Sequence, residues 1–587
     1  METEPTSPHR FGLRTLVSLA VGGTIGSGWL FAAPQVAQKA AGSWSLLSWA
    51  LGGVFMVATA VVLVELGGRW RENGGLVFWP SQACGPLLTT IVASALWFFY
   101  ALNPASESVA LLFGGKDHLA PAEQLTVLLV MVPIVAVNLF ALRVVLWITL
   151  VLAIFKILIP VVVVVALLLW HPDVHAVTHT QARATAQATS TSTATGTGSS
   201  KGFGAALTAI TSSGVIYAYI GFQGPLDFAG QVRTTGRGES WRLRWAVLGT
   251  VVGTMVIYLL LQVVYLRHSD SAGRAGTSGT GSPFIGLVDD VPVIGSGLRY
   301  SLDIAERIFP AGAGIVFALL LTREIEQLSM SRFTDARLIE SRSLPFRFFQ
   351  GREVLWRILS VNLVIGASSV FLLGFHWNQL TAASGILALL FYAMPSVCLG
   401  TLALVDDTIA TWLQVLCGCC FTATTVMIFW ADPVIVLRVA LIVALGTALL
   451  LVLPSDVVRH RRIIGGYRAA SHLRRIREHR SDPHVKAALV YAGYICALVL
   501  LSGIGPSSPW RWIDDRSGIV IAAVVGVGGY LLLVRYSAQH LRRSRSMGST
   551  APVGPAGPAD PAGPADPPDS PDPADPSADP VAVATSS

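Results

Sequence analysis

The chain has 587 residues, of which 53% are hydrophobic and only 13% are charged, and its mean hydropathy is +0.61. Soluble domains are about 25% charged, so this composition excludes an ordinary soluble protein and predicts an all-α polytopic membrane protein. The formal net charge of +7 does not indicate nucleic-acid binding, because the basic residues fall in loops between apolar segments. No cleavable signal peptide is expected, since the first apolar stretch leads into a full set of spans.

A window of ~20 apolar residues predicts about fourteen membrane spans. They lie near residues 12–33, 44–67, 86–113, 124–142, 144–170, 204–230, 243–266, 298–322, 355–373, 380–405, 410–430, 433–453, 486–505 and 517–536. Loops rich in arginine alternate with loops poor in it, so the positive-inside rule predicts that both termini are cytoplasmic. The protein is therefore expected in the plasma or inner membrane as a multi-pass protein, with the lipid bilayer as a partner.

Composition also divides the chain outside the spans. Residues 1–11 form a short cytoplasmic N-terminus, and residues 171–203 form an extracellular loop rich in Ser and Thr. Residues 456–485 are a basic cytoplasmic segment, either an amphipathic surface helix or a solvated linker. Two additional helices are expected over 486–536, and a disordered tail rich in Pro, Ala and Asp over 537–587.

The first span carries small residues where an uninterrupted helix would have Leu or Val. They are Gly22, Gly23, Gly26 and Gly28, and Thr24 and Ser27 between them are expected to add hydroxyl contacts to a ligand. Lipid has no water to satisfy freed backbone groups, so a break survives only beside a cavity or a ligand. A break here predicts a half-helix that starts near Ser27 to Trp29, whose N–H groups receive a carboxylate. The carbonyls before the break receive an ammonium, so one break offers both ends of an α-amino acid; a Gly-rich packing face is the alternative.

A second break is predicted about five spans later, in Gly221-Phe-Gln-Gly-Pro225. Pro225 cannot donate to the helix hydrogen bonds, although a simple kink is the alternative there. Carbonyls around Tyr219 would join the ammonium pocket, Phe222 would form an aromatic lid, and Gln223 offers a donor and an acceptor. Interrupted spans at matching positions of two halves indicate the midplane binding site of a secondary transporter.

Three ionisable residues within the spans are candidates for proton coupling. Lys156 lies near the centre of the fifth span, where a lysine is costly and functional by default; snorkelling to an interface is the alternative. Glu107 follows Asn103-Pro104 in the third span, where a helix-end role is the alternative. Asp227 lies one turn after the second break and could bind substrate or a proton, or pair with an arginine.

At these residues the chain resembles the amino acid-polyamine-organocation (APC) permeases. The similar segments are Gly23 to Gly28, Glu65 to Gly75 with Trp79 and Cys84 to Pro86, Tyr219 to Gln223 with Ala229 and Gly230, Ser331 to Phe346, and the position of Lys156. The resemblance implies a leucine-transporter-like fold of two inverted five-helix repeats, over 12–170 and 204–405, followed by helices 11 and 12 over 406–455. It implies amino-acid transport by alternating access. Gln223 departs from the family, because many members have an acidic residue there, and the two spans after 486 exceed the common twelve.

The leading hypothesis is a proton-coupled amino-acid symporter with H⁺ as the coupling ion and with no metal or cofactor. An amino-acid exchanger on the same fold is the first alternative, and a non-transporting amino-acid sensor is the second. An enzyme is not expected, because the spans contain no metal-spaced set of His, Cys and Asp and no nucleophile with a base. The sequence names neither the amino acid nor the oligomeric state.

Overall fold

The computed structural model describes residues 11–114, 119–170, 202–232, 239–268, 282–289, 291–292, 294–330, 356–406, 408–452, 481–509 and 512–550. These residues form helices and connecting turns, and the β-pairing among them is the isolated bridge between Phe11 and Val232. The predicted all-α fold is therefore confirmed. Residues 171–201 of the predicted loop at 171–203, most of the basic segment at 456–485 and the tail beyond 550 lie outside the described residues. Phe203, the last residue of the predicted loop, already begins a helix.

The first half contains the helices α1 (Leu13–Thr24), α2 (Gly28–Lys39), α3 (Ser43–Arg69), α4 (Gly75–Ala83), α5 (Pro86–Phe113), α6 (Pro121–Ala136) and α7 (Leu142–Leu169). The sixth span consists of α8 (Phe203–Ser212), α9 (Val215–Tyr219) and a 3-10 helix (Leu226–Gln231). It is followed by α10 (Glu239–Arg267), α11 (Pro283–Asp289), α12 (Gly295–Met330), α13 (Trp356–Leu373), α14 (Trp377–Ala403), α15 (Thr411–Phe429), α16 (Pro433–Val452), α17 (Pro483–Ile504) and α18 (Asp515–Thr550).

Among the described residues, twelve helices are long and apolar enough to cross a membrane, and α1 with α2 form a further, bent span. The broken sixth span supplies the remaining apolar segment, in line with the fourteen that the sequence predicts. The first and sixth spans are thus both interrupted, as the sequence predicts.

Two helices form the centre of the bundle. Helix α14 is buried along its whole length, and α5 is buried over residues 88–110. Helix α5 packs against α12, α13, α14 and α16, all of which follow the sixth span in the chain. By contrast, α6, α7, α16 and α18 present exposed large apolar side chains such as Leu129, Trp147 and Leu441. Exposed apolar surface of this kind suits contact with lipid.

The C-terminal helix is longer than the sequence predicts. The predicted tail boundary at residue 537 is wrong for residues 537–550, because α18 continues to Thr550. Ala538 and Leu541 are buried, and the Arg542 guanidinium donates to the carbonyl of Leu404 at 2.6 Å. These contacts extend the helix beyond the apolar stretch that the hydropathy window detects.

Candidate functional site

The first span is interrupted at residues 25–27. Helix α1 ends at Thr24 and α2 begins at Gly28, and the two helices are bent by 43°. A Cβ atom added to Gly28 would lie 2.7 Å from the Cα of Ala218 in α9, so only glycine lets the two half-helices approach this closely. The half-helix thus starts where the sequence predicts, within the range Ser27 to Trp29.

The second break is longer than a proline kink. Residues 220–225 are not helical, and Gly221 has a φ of +120°, which favours glycine. A Cβ on Gly221 would collide with the carbonyl carbon of Gly23, and a Cβ on Gly23 would lie 3.1 Å from the Cα of Gly221. The two breaks therefore touch backbone to backbone at the centre of the bundle.

The Glu107 carboxylate lies at the N-terminus of the α2 half-helix. It accepts the backbone N–H of Ser27 at 3.1 Å and the Tyr217 hydroxyl at 2.7 Å, and its side chain is fully buried. The missing Cβ of Gly26 makes room, since a Cβ there would lie 2.5 Å from Oε1 of Glu107. Trp377 donates its indole N–H to Oγ of Ser27 at 3.1 Å. The N–H group that the sequence assigns to a substrate carboxylate thus bonds to a carboxylate of the protein. Glu107 faces the first break rather than serving only at the outer end of its own span.

The Lys156 ammonium lies at the opposite end of the same break. Its Nζ donates to the carbonyl of Gly22 at 2.7 Å, and the side chain has no solvent exposure. The hydrogen bond and the burial exclude snorkelling to an interface. The sequence assigns the Gly22 carbonyl to a substrate ammonium, but the ammonium of Lys156 is bonded to it instead. This hydrogen bond connects α7 to the last turn of α1.

Tyr258 joins the two interrupted spans and was not identified from the sequence. Its hydroxyl, from α10, contacts the carbonyl of Thr24 at 3.3 Å and the carbonyl of Ala218 at 3.1 Å. These are backbone groups at the ends of α1 and α9. The only sequence signal is a tyrosine in a largely apolar span, which many structural tyrosines share. The Thr24 hydroxyl bonds back to Ala20 in its own helix at 2.8 Å and does not face the break.

We expect Tyr258→Phe to lower the free energy of unfolding by about 1–3 kcal/mol, because buried carbonyls lose a hydrogen-bond donor. A thermal unfolding scan of the detergent-purified protein measures this as a lower Tm. Tyr300→Phe is the control, since Tyr300 is 69% exposed and its ring stays in place. Equal Tm values for Tyr258→Phe and the control would show that Tyr258 does not hold the breaks.

The predicted residues around the second break are buried and already have partners. Oε1 of Gln223 accepts the Gly221 N–H at 3.0 Å and the Tyr392 hydroxyl at 2.6 Å. Phe222 stacks on the Tyr392 ring, with centroids 5.7 Å apart. Tyr219 donates its hydroxyl to the carbonyl of Trp49 at 3.1 Å. Each of these three side chains is therefore engaged with another part of the bundle.

Trp29 and Asp227 lie on opposite sides of the breaks. The Trp29 ring is buried against Phe284, with centroids 5.9 Å apart, so its side chain packs away from the half-helix start. Oδ2 of Asp227 accepts the Tyr100 hydroxyl at 3.0 Å. The sequence left open that Asp227 pairs with an arginine. Among the described residues no arginine forms an ion pair with Asp227, and its partner is the Tyr100 hydroxyl instead.

Comparison with protein families identifies this architecture. The amino acid permease family model matches residues 11–453, which include both breaks, Glu107 and Lys156. The chain belongs to the amino acid permease family. This permease is therefore a multi-pass transporter of the plasma membrane that carries amino acids, and it is not an enzyme.

Characterised relatives of the permease are bacterial transporters. It is 26% identical to the glutamate/serine transporter AimA of Bacillus subtilis over 468 residues, which cover 75% of this chain and 80% of the relative. It is 25% identical to the aspartate-proton symporter of the same organism over 320 residues, 51% of this chain and 56% of the relative. Among solved structures, a manganese transporter of Eremococcus coleocola matches at a TM-score of 0.42 and 14% identity, covering 92% of this chain and 98% of that one.

Proposed function

We propose that the permease is a proton-coupled amino-acid symporter whose substrate carboxylate competes with Glu107 for the start of helix α2. The observation that carries this proposal is the contact between the Glu107 carboxylate and the Ser27 N–H at 3.1 Å. A helix N-terminus attracts one anion through its free N–H groups and its dipole. It cannot hold two carboxylates in a buried site, because like charges in contact repel strongly.

Substrate binding then requires a proton. When a substrate carboxylate reaches the N–H groups of Ser27 and Gly28, Glu107 must leave them. A displaced Glu107 in this buried position is most stable as the neutral acid, because an isolated buried charge is expensive. Glu107 therefore takes up a proton when an amino acid binds, and it gives up that proton when it returns to Ser27 after release of the substrate.

Lys156 links this chemistry to movement of α1. Its ammonium holds the Gly22 carbonyl from α7, and loss of the charge would weaken that bond. The ammonium also places a fixed positive charge beside the break, which disfavours a sodium ion there. Protons as the coupling ion, with no metal or cofactor, are therefore part of the proposal. Exchange of the Lys156 proton during the cycle would let α1 move away from α7.

The test is uptake of a labelled amino acid into proteoliposomes with and without an imposed pH gradient. A symporter accumulates substrate when the outside is acidic and loses accumulation when the gradient is collapsed. Uptake that ignores the gradient but requires amino acid inside would show exchange instead. Saturable binding without any uptake would indicate a sensor.

The first substrates to assay are glutamate, serine and aspartate, because the characterised relatives carry these names. A thermal-shift screen of the purified protein against the twenty amino acids identifies binders, since a ligand that binds the folded state raises the Tm. Hits then enter the proteoliposome assay. A screen without any stabilising amino acid would contradict the proposed site.

We expect Glu107→Gln to remove the pH dependence of substrate binding. In the wild type, a lower pH protonates Glu107 and strengthens binding, whereas a higher pH leaves a competing carboxylate and weakens it. The glutamine is neutral at every pH and mimics the acid form, so affinity should stay at the level of the wild type at low pH. Binding isotherms across about pH 5 to 8 measure this. A Glu107→Gln variant that keeps the wild-type pH dependence would refute the competition.

A further inference from the structure

A second pair of buried acidic groups lies outside the site described above. Asp227 belongs to the 3-10 helix of the sixth span, and Glu324 belongs to α12; neither side chain has any solvent exposure. The pair lies at the end of the bundle that the positive-inside rule assigns to the cytoplasm, near the ends of α3 and α12 that carry Arg69 and Arg323. Glu324 was not identified from the sequence.

The hydrogen bonds of Glu324 identify it as the ionised member. Oε1 accepts the N–H of Leu76 at 3.3 Å, and Oε2 accepts the N–H of Val77 at 3.0 Å. These are N–H groups in the first turn of helix α4, which connects the second and third spans. A carboxylate with both oxygens bonded to a helix N-terminus is strongly stabilised in its charged form.

The hydrogen bonds of Asp227 require a proton. Oδ2 accepts the Tyr100 hydroxyl, whereas the fully buried Oδ1 receives no N–H or O–H donor from any described residue. The N–H of Gly74 donates to the Asp227 carbonyl, and the N–H groups of Leu76 and Val77 donate to Glu324, so the start of α4 brings the two acidic residues side by side. In this buried site a second charge beside Glu324 is costly, and so is an ionised Oδ1 without a donor. Because both Glu324 oxygens already accept N–H donors, the proton belongs on Oδ1 of Asp227.

We propose that Asp227 and Glu324 form a proton-binding site that fastens helix α4 to the sixth span, and that loss of this proton to the cytoplasm releases α4 and opens the inner gate. The inference rests on the proposed alternating-access transport and adds a gate to it. Release of the proton leaves two carboxylates side by side in a buried site, and their repulsion separates the elements that carry them. The N–H of Gly74, just before α4, also donates to the Asp227 carbonyl at 3.1 Å, so α4 would move with this contact.

The gate is connected to the second break by hydrogen bonds. The Tyr100 hydroxyl, which donates to Asp227, also accepts an N–H from Nε2 of Gln223 at 3.4 Å. The side-chain oxygen of Gln223 in turn accepts the backbone N–H of Gly221. The titratable groups that face the pair are Tyr100 from α5 and Tyr392 from α14. Arg323, beside Glu324 in the chain, places its guanidinium over the Phe228 ring at 5.2 Å.

Hydrogen-deuterium exchange of the α4 peptide in the purified full-length protein tests the gate at about pH 5.5 and 8, after correction for the intrinsic effect of pH. In the wild type, we expect protection of Leu76 and Val77 to fall about tenfold at the higher pH, the size of effect that one charged hydrogen bond gives. Asp227→Asn places a neutral side chain beside Glu324 at every pH, so protection should stay high at both values. Glu324→Gln turns one of the two accepting oxygens into an NH₂ group, which faces the N–H of Leu76 or Val77 and cannot accept it. Protection should therefore be low at both pH values.

Glu65→Gln is the control, because Glu65 lies at the same end but pairs with Arg69 at 3.0 Å and Arg244 at 3.3 Å. It should follow the wild type. Wild-type pH dependence in either Asp227→Asn or Glu324→Gln would overturn the gate, so one folded variant suffices. Protection restored at high pH by Na⁺ or K⁺ would also overturn it, in favour of a cation site. The measurement needs neither substrate nor gradient, so a failure here is distinct from a failure of symport in proteoliposomes.

Discussion

Lys156→Ala should abolish proton-driven accumulation of amino acid while leaving a folded protein in the membrane. The variant removes the charged hydrogen bond to the Gly22 carbonyl and the positive charge beside the first break. A buried hydrogen bond to a charged group contributes about 1.5–3 kcal/mol, so we expect gradient-driven uptake to fall by about 10- to 100-fold. Uptake into proteoliposomes with an acidic exterior measures the loss.

Lys39→Ala is the matched control for this variant. Lys39 ends helix α2 of the same interrupted span, and its side chain is exposed. The control should accumulate substrate like the wild type. If Lys156→Ala also accumulates substrate fully against its gradient, Lys156 has no part in coupling, and the Glu107 competition would have to account for coupling alone.

Gly26→Leu should abolish substrate binding. Even the first carbon of a side chain at this position would lie 2.5 Å from Oε1 of Glu107 and 3.0 Å from Cβ of Ala313. The larger residue would fill the space where a carboxylate reaches the N–H of Ser27, and it would force the two spans apart. We expect a loss of affinity of at least about 100-fold, since several charged hydrogen bonds lose their geometry together.

Gly253→Leu is the control for the glycine substitution. Gly253 lies in a span as well, but no atom is within 4 Å of a Cβ placed there. The control should bind like the wild type and should have a similar Tm. Wild-type affinity in Gly26→Leu would place the substrate elsewhere in the bundle.

The sequence predicted the backbone of the site better than its side-chain partners. Both breaks follow from local chemistry, because glycines and a proline inside apolar spans leave backbone groups that lipid cannot satisfy. The position of the half-helix start near Ser27 follows for the same reason. The family resemblance added the order of the spans and the position of Lys156, and the family match over residues 11–453 confirms the family.

The partners across the bundle could not be predicted. Glu107 lies 80 residues from Ser27 in the chain, and Glu324 lies 247 residues from Val77. Such pairs depend on how α5 and α12 pack, and one sequence contains no signal for that packing. For the same reason the sequence left a helix-end role open for Glu107 and an arginine partner open for Asp227.

The hydroxyl groups that complete the site were also beyond sequence reasoning. In the sequence, each of Tyr100, Tyr258 and Tyr392 is simply an aromatic residue within an apolar span. Such a residue is equally typical of a membrane interface and of helix packing. Only the fold shows that each hydroxyl ends beside a break or a carboxyl group. The end of α18 was underestimated because its last turns are polar, so a hydropathy window does not detect them.

A structure of the permease with its amino acid bound tests the central claim most directly. The account predicts that the substrate carboxylate lies within hydrogen-bonding distance of the N–H groups of Ser27 and Gly28, and that Glu107 has turned away from them. A bound amino acid at any other place, with Glu107 still accepting the Ser27 N–H, would contradict it.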